Sequence, residues 1–367
     1  MEEKVKSIIF VLTYDCNLKC SYCYEPKTEH IFLSRDRAID IIKKAIDDVD
    51  ESYTGLDIQF MGGEPLLRFD LIKDLCEWLW SSKLKIPTLS VSAPTNGTLL
   101  TPQMESWLTE NKERFRLYLS FDGNCLMQNM NRSSSAPKIN LEFFARTYPD
   151  YAVKMTASPD TISHFAEGIQ FLYEQGFNDV KANLAFGDEI GWNKSHLAIL
   201  RRELDTLIEF YCSHPDIQPI TLLRTPVWNI VDKNAKAKKC YCGRDVICYD
   251  YDGQVYPCHF FAPITLSKEM ARESQSLDLD VIRNETHPQC HKCLFRKICV
   301  TCYAVNYRDR GDCNSPSPFF CAQNKLFFYA SCKLQKKLAM IKGDKDKEQI
   351  IDRTIEVLTK TLRNGNN

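Results

Sequence analysis

The sequence predicts an α/β fold in which strands and helices alternate over the first two thirds of the chain. Short apolar runs rich in β-branched residues, such as residues 7–12, recur along the chain and are typical of buried strands. Segments with apolar residues at helical spacing separate these runs. From Cys240 onward the composition changes to a cysteine-rich pattern. The alternation predicts a parallel βα architecture followed by a different, smaller unit.

Six βα repeats are predicted between about residues 7 and 215. The first strand, 7–12, leads to a helix that Ser34 caps and that carries Ala38, Ile39, Ile41 and Ile42 on one face. Further strands are predicted at 56–61, 89–92, 116–123, 153–157 and 180–185, and helices at 69–80, 102–109, 165–175 and 195–212. The predicted domains are a barrel at 1–215, a bridge at 216–239, a cysteine-rich domain at 240–335 and a helical tail at 336–367.

Composition limits the possible functions. The formal net charge is -1, which favours neither a nucleic-acid partner nor a membrane surface. No run approaches the length of a membrane span and the N-terminus does not resemble a signal peptide, so a cytoplasmic protein is expected. Seventeen cysteines are present. Because disulfides are rare in a reducing compartment, metal binding is the expected use of many of them.

Cys16, Cys20 and Cys23 have the spacing C-x3-C-x2-C directly after the first predicted strand. The carboxyl ends of parallel strands are where such folds place their chemistry. Three thiolates can hold three irons of a 4Fe-4S cluster and leave the fourth iron open. A zinc knuckle is the alternative, although zinc sites favour paired C-x2-C motifs and a fourth ligand.

This spacing resembles the signature of the radical S-adenosylmethionine (SAM) superfamily. The resemblance implies that the amino and carboxylate groups of SAM occupy the fourth iron, and that electron transfer cleaves SAM to methionine and a 5′-deoxyadenosyl radical. It also implies that Tyr22 lies against the adenine. The fold implied is a partial six-fold βα barrel, open on one side, followed by a small cysteine-rich iron-sulfur domain and C-terminal helices.

Further strand ends resemble SAM-binding elements of the same superfamily. Gly62-Gly63-Glu64-Pro65 follows the second predicted strand, where residues without side chains would let backbone carbonyls approach the SAM amine and Glu64 would add a charged contact. The alternative is an ordinary turn. The remaining candidates are strand-end residues that could equally be turn residues, and a loop arginine that could be solvated: Thr95, Asn96, Ser120, Asp122 and Arg132.

The cysteine-rich region resembles the SPASM extension of radical SAM enzymes, which holds two auxiliary 4Fe-4S clusters. The resemblance assigns Cys242, Cys248, Cys258 and Cys302 to one cluster, and Cys290, Cys293, Cys299 and Cys321 to the other. Cys302 follows Cys299 after two residues, where three are usual, and Cys240 could replace Cys248. A zinc ribbon built from Cys290, Cys293, Cys299 and Cys302 is the alternative.

These resemblances imply an enzyme with three 4Fe-4S clusters and SAM that oxidatively modifies a peptide or protein, with an electron donor such as flavodoxin or ferredoxin. Maturation of ribosomally made peptides is the expected function. Anaerobic sulfatase maturation is second, because that group has Tyr-Pro-Cys-Asp where this chain has Tyr256-Pro257-Cys258-His259. His259 is the candidate base. A non-catalytic iron-sulfur or zinc protein is the alternative of another class.

Overall fold

The computed structural model describes residues 4–25, 30–31, 33–84, 88–236 and 240–363. Residues 237–239 of the predicted bridge lie outside these ranges. The strands are β1 (Val5–Thr13), β2 (Gly55–Gly62), β3 (Thr88–Thr95), β4 (Phe115–Leu119), β5 (Val153–Ala157), β6 (Val180–Leu184), β7 (Val246–Tyr249) and β8 (Val255–Tyr256). The helices are α1 (Arg35–Asp47), α2 (Phe69–Ser81), α3 (Pro102–Glu110), α4 (Cys125–Asn131), α5 (Leu141–Thr147), α6 (Phe165–Glu174), α7 (Lys194–Ser213), α8 (Lys268–Ser274), α9 (Leu279–Asn284), α10 (Tyr303–Arg310), α11 (Pro318–Lys342) and α12 (Lys345–Arg363).

The six predicted strands form the expected parallel succession. Strands β1 to β4 lie side by side in chain order, and β5 pairs with β6 in parallel. An isolated bridge between Ser120 and Lys154 joins the two sheets, and the Phe121 amide donates to the Lys154 carbonyl at 2.9 Å. The prediction of an α/β fold with a partial six-strand barrel is confirmed.

Two strands were not predicted, and both come from the cysteine-rich region. Strand β7 pairs in parallel with β1, from Ser7 opposite Val246 to Phe10 opposite Tyr249, and β8 pairs antiparallel with β7. The pairing satisfies backbone groups that an edge strand would leave exposed. The cysteine-rich region therefore extends the barrel sheet, so the two predicted domains share one sheet.

Side chains of β1 alternate between two cores. Ile8, Phe10 and Leu12 pack with the helices in the main core. Ile9 and Val11 face the other way and pack against the cysteine-rich region. Both faces of β1 are therefore buried, which explains its continuous apolar sequence.

Helix α11 closes the molecule. It packs against α7 and α12, and Lys333 and Lys337 form ion pairs with Asp205 and Glu209 of α7 at 2.7 and 2.6 Å. The predicted limit at residues 335 and 336 lies inside this continuous helix. Among the described residues, no helix has the length and apolar character needed to cross a membrane.

Candidate active site

The carboxyl ends of the barrel strands open onto a cavity of about 430 Å³. This volume lies in the range of small-molecule and cofactor sites. The structure brings together here most of the residues predicted to form the site, although they are far apart in the sequence. The predicted residues that line the cavity are Cys16, Cys20, Tyr22, Cys23, Gly62, Gly63, Glu64, Thr95, Asn96, Ser120, Arg132 and His259.

The loop that carries the first three cysteines is anchored by neighbouring elements. The Leu18 amide donates to Cys16 Sγ at 3.5 Å, and burial raises the pKa of Cys20 to about 11. Hydrogen bonds to two neighbouring segments fix the loop. At the end of β3, Asn96 Nδ2 donates to Asn17 Oδ1 at 2.9 Å. Around the end of α4, the Ser21 amide donates to the Asn131 carbonyl at 2.8 Å and the Lys19 amide to Ser133 Oγ at 2.9 Å.

Gly62 and Gly63 allow the backbone before Cys16 to approach β2 closely. A Cβ atom on Gly62 would lie 2.2 Å from the Thr13 carbonyl oxygen, and one on Gly63 would lie 2.5 Å from that of Asp15. The Gly63 amide donates to Thr13 at 3.1 Å. The space that the missing side chains leave is thus filled by backbone, and both glycines also line the cavity.

Glu64 ties β2 to β3. Its carboxylate accepts hydrogen bonds from the Leu66 amide at 3.0 Å, the Thr95 hydroxyl at 2.9 Å and the Asn96 amide at 2.7 Å. The residue is 1% exposed, and burial raises the pKa of its carboxyl group. These bonds orient Asn96, which in turn holds the cysteine loop.

Asp122 lies behind the cavity wall and positions two residues that line it. Its carboxylate accepts a hydrogen bond from the Tyr22 hydroxyl and lies 3.0 Å from Arg132 Nε. The Asn131 amide group and the Thr156 backbone amide donate to it at 3.2 and 2.9 Å. The Arg132 side chain is therefore paired and only 12% exposed, in contrast to the alternative of a solvated loop arginine.

His259 reaches this cavity from the cysteine-rich region. Its Nδ1 atom is buried and has no hydrogen-bond partner within the described ranges. Burial, assisted by the charge of Lys154, lowers the pKa of His259 to about 4, so the ring is neutral near pH 7. Its ring centroid lies 4.2 Å from that of Phe260, and the Phe260 ring also contacts Tyr24 and Phe186.

Several residues of the cavity were missed by sequence reasoning. Lys154 and Thr156 of β5 and Asn183 of β6 line its floor, and Tyr24, Phe186 and Phe260 form an aromatic wall. The alternation of apolar and polar residues along β5 and β6 could have located the floor residues. Buried apolar residues occupy every second position, so the residues between them must face the barrel interior.

The cysteines of the C-terminal region form two groups. Cys242 hydrogen-bonds with Cys240 and Cys258, and Cys302 interacts with Cys240 and Cys242. The other group is Cys290, Cys293, Cys299 and Cys321, which line a second cavity of about 390 Å³. Cys302, one of the four cysteines of the zinc-ribbon alternative, interacts with Cys240 of the first group. Among the described residues, no three or more His, Cys, Asp or Glu side chains lie close enough together to hold a single metal ion. A four-iron cluster is wider than one ion, so its ligands lie farther apart.

Cys240 and Cys248, the two candidates for the fourth member of the first group, have different surroundings, and Cys240 also lines the cavity of the other group. Cys248 lies in β7 and is completely buried, and among described residues the charge that acts on its thiol is that of Asp250. Cys240 instead hydrogen-bonds to Cys242. Cys248 shares the apolar cluster of Cys242 but packs there as a strand residue.

Residues 10–125 match the sequence profile of the Radical SAM superfamily. The cysteine-type anaerobic sulfatase-maturating enzyme of Clostridium perfringens is 22% identical over 352 residues, which cover 85% of this chain and 92% of that protein. The radical SAM cyclopropyl synthase TigE of Paramaledivibacter caminithermalis is 30% identical over 186 residues, 46% of this chain and 38% of that one.

Solved structures show the same fold. The chain matches a structure described as native anSMEcpe with bound AdoMet and Kp18Cys peptide, with a TM-score of 0.70 and 18% identity, over 92% of this chain and 99% of that one. Streptococcus suis SuiB bound to precursor peptide SuiA matches with a TM-score of 0.55 and 16% identity, over 86% of this chain and 75% of that one.

Proposed function

We propose that this chain, whose residues 10–125 match the Radical SAM profile, is an enzyme that oxidatively modifies a residue of a peptide or protein substrate. One observation carries the proposal. The cavity that contains Cys16, Cys20 and Cys23 also contains His259, which directly follows a cysteine of the first C-terminal group. The proposed site of radical generation and a candidate base next to a proposed second metal centre would thus face the same space.

The residues present fit a 4Fe-4S cluster and SAM. Cys16, Cys20 and Cys23 would hold the cluster, and the buried Arg132 and the ring of Tyr22 would contact SAM. When bound, these groups supply a 5′-deoxyadenosyl radical, which can abstract hydrogen from an unactivated C–H bond. The contribution of the chain is to orient the substrate and to exclude water.

The two C-terminal cysteine groups are proposed to hold two auxiliary 4Fe-4S clusters. Their ligands would be Cys240 or Cys248 with Cys242, Cys258 and Cys302, and Cys290, Cys293, Cys299 and Cys321. Soft thiolate ligands suit such clusters, and Asn324 Nδ2 lies 3.7 Å from Cys299 Sγ, where it can donate to a cluster ligand. The auxiliary clusters would accept the electron released by oxidation of the substrate or bind a substrate thiolate.

His259 is proposed as the base that takes the substrate proton.

Anaerobic sulfatase maturation is the second candidate function, and the relative from Clostridium perfringens favours it because the match extends over most of both chains. The histidine in place of aspartate after Cys258 is the reason why peptide maturation remains first. We further propose a flavodoxin or ferredoxin as reductant and the cytoplasm as location.

Iron content and SAM cleavage test the proposal. Anaerobically reconstituted protein is expected to hold about twelve irons per chain and, when reduced with dithionite, to release 5′-deoxyadenosine. Replacing Cys16, Cys20 and Cys23 together with alanine should remove about four irons and abolish cleavage. Mass spectrometry of peptides encoded beside the gene would then identify the product.

Cys125→Ala provides the matched control, since Cys125 is exposed at the start of α4 and belongs to none of the three groups. It should retain full iron content and cleavage. Absence of 5′-deoxyadenosine from the iron-loaded wild type would contradict the enzymatic proposal.

A further inference from the structure

Two lysines face the barrel interior at directly paired positions. Lys154 of β5 lies opposite Lys181 of β6 in the parallel register. Their strand neighbours Val153, Met155, Val180 and Ala182 are buried in the main core, so the lysines point to the other face of the sheet. Lys154 lines the catalytic cavity together with Asn183, which follows Lys181 on the same face of β6.

Neither ammonium group has a hydrogen-bond or ion-pair partner among the described residues, where no carboxylate lies within 4.0 Å of either nitrogen. Lys154 Nζ lies 5.0 Å from the ring centroid of Tyr118, a cation-π contact. Like charges at directly opposite strand positions destabilise a sheet. Burial and the charge of Lys181 lower the pKa of Lys154 to about 8, and Asp57 opposes this only in part. Repulsion between the two lysines thus destabilises the unbound protein, and binding of an anion would remove this repulsion.

The position of the pair indicates which molecule brings the anion. The charge of Lys154 acts on His259, the proposed base, whereas Arg132 lies beside Tyr22 and Asp122 at the cysteine loop. Lys181 and Asn183 are exposed on β6, and the described strands leave the outer edge of β6 unpaired. An extended peptide can therefore reach the lysines from the open side of the barrel, next to the place where the reacting residue must lie.

We propose that Lys154 and Lys181 together bind a carboxylate of the peptide substrate, supplied by an aspartate or glutamate close to the residue that is modified. This inference rests on the proposed function and names the class of its substrate. Two compact ammonium groups suit a carboxylate that approaches between them. Binding would replace the repulsion of the pair with two charge-assisted contacts.

Binding of two peptide libraries tests this inference without catalysis. The probes are fluorescein-labelled heptapeptides with three randomised positions on each side of a central aspartate, or of a central asparagine in the matched library. Fluorescence anisotropy with the reconstituted, SAM-loaded enzyme should show that the aspartate library binds about tenfold more tightly or better. Lys154→Met and Lys181→Met should each abolish this preference, whereas Lys154→Arg should retain it.

The control is Lys73→Met, on the exposed face of α2, which should bind both libraries like the wild type. Lys154→Met should also melt at a temperature equal to or above that of the wild type, because it removes a half-buried charge that has no ion-pair partner among the described residues. A lysine with a purely structural role would instead lower the melting temperature when replaced.

Three results would overturn the inference. They are equal binding of both libraries by the wild type, no binding of either library, and a Lys154→Met variant that keeps the preference but loses affinity for radiolabelled SAM in equilibrium dialysis. The last result would assign the amine to the SAM carboxylate. Fluorescence anisotropy measures binding without turnover. A failure of the binding test would therefore contradict only this inference, whereas absence of SAM cleavage would contradict the proposed function.

Discussion

The ring of His259 is uncharged near pH 7 and its Nδ1 atom has no partner among described residues, so it can accept a proton from a bound substrate. His259→Ala is expected to leave SAM cleavage intact and to lower product formation about 100-fold or more. Simultaneous assay of 5′-deoxyadenosine and modified peptide measures both quantities. His214→Ala, exposed at the end of α7, is the control. Unchanged product formation by His259→Ala would remove this residue from the mechanism.

Lys154 gives anion binding a dependence on pH. Its pKa of about 8 means that the ammonium form is lost as the pH rises through that value. The preference for the aspartate library should therefore fall between pH 7 and pH 9.

The ionisable or charged neighbours of Lys154 are Asp57 on β2, Tyr118 on β4, Lys181 on β6 and His259. Burial raises the pKa of Tyr118, and His259 is already neutral over this range, so neither accounts for such a loss. Lys154→Arg should keep the preference at pH 9 because a guanidinium stays charged; an equal loss in that variant would assign the titration to another group.

At the scale of single elements, the cysteine loop depends on how closely β2 approaches the end of β1. In Gly63→Ala the new Cβ would lie 2.5 Å from one backbone carbonyl oxygen and 2.7 Å from another, so the backbone must move. The substitution should lower the free energy of unfolding by about 1–3 kcal/mol and reduce the iron content. Denaturant unfolding and iron analysis are the measurements.

Gly191→Ala separates this effect from the general cost of losing a glycine. A Cβ at Gly191 would meet nothing within 4 Å, although its φ of +80° is unfavourable for alanine. It should cost about 1 kcal/mol and leave the iron content unchanged. Equal iron loss in both variants would show that the close approach at Gly63 is not what holds the loop.

Sequence periodicity predicted β1 to β6 because each is an apolar run or an alternating segment of strand length. It did not predict β7 and β8, because these strands have four and two residues, and β7 depends on β1 and β8 on β7 for pairing. Similarly, spacing identified the cysteines and glycines of the site, whereas Lys154 became visible only with the register of β5 and β6. Spacing also leaves open whether Cys240 or Cys248 joins the first C-terminal group, because that choice depends on tertiary contacts.

At the scale of the whole molecule, the shared sheet predicts cooperative unfolding. Since β7 pairs with β1 and α11 packs on α7, the cysteine-rich region and the barrel should lose structure together. Tryptophan fluorescence, to which Trp78, Trp80 and Trp107 of the barrel helices contribute, and absorbance of the proposed iron-sulfur clusters should give coincident denaturant transitions. Two separated transitions would contradict this view.

The pairing of β1 with β7 has a consequence for synthesis. Strand β1 ends at Thr13 and leaves the ribosome first, but the neighbour that covers its second edge begins at Val246. A nascent chain therefore displays an incomplete, hydrophobic sheet until the segment with β7 has been translated.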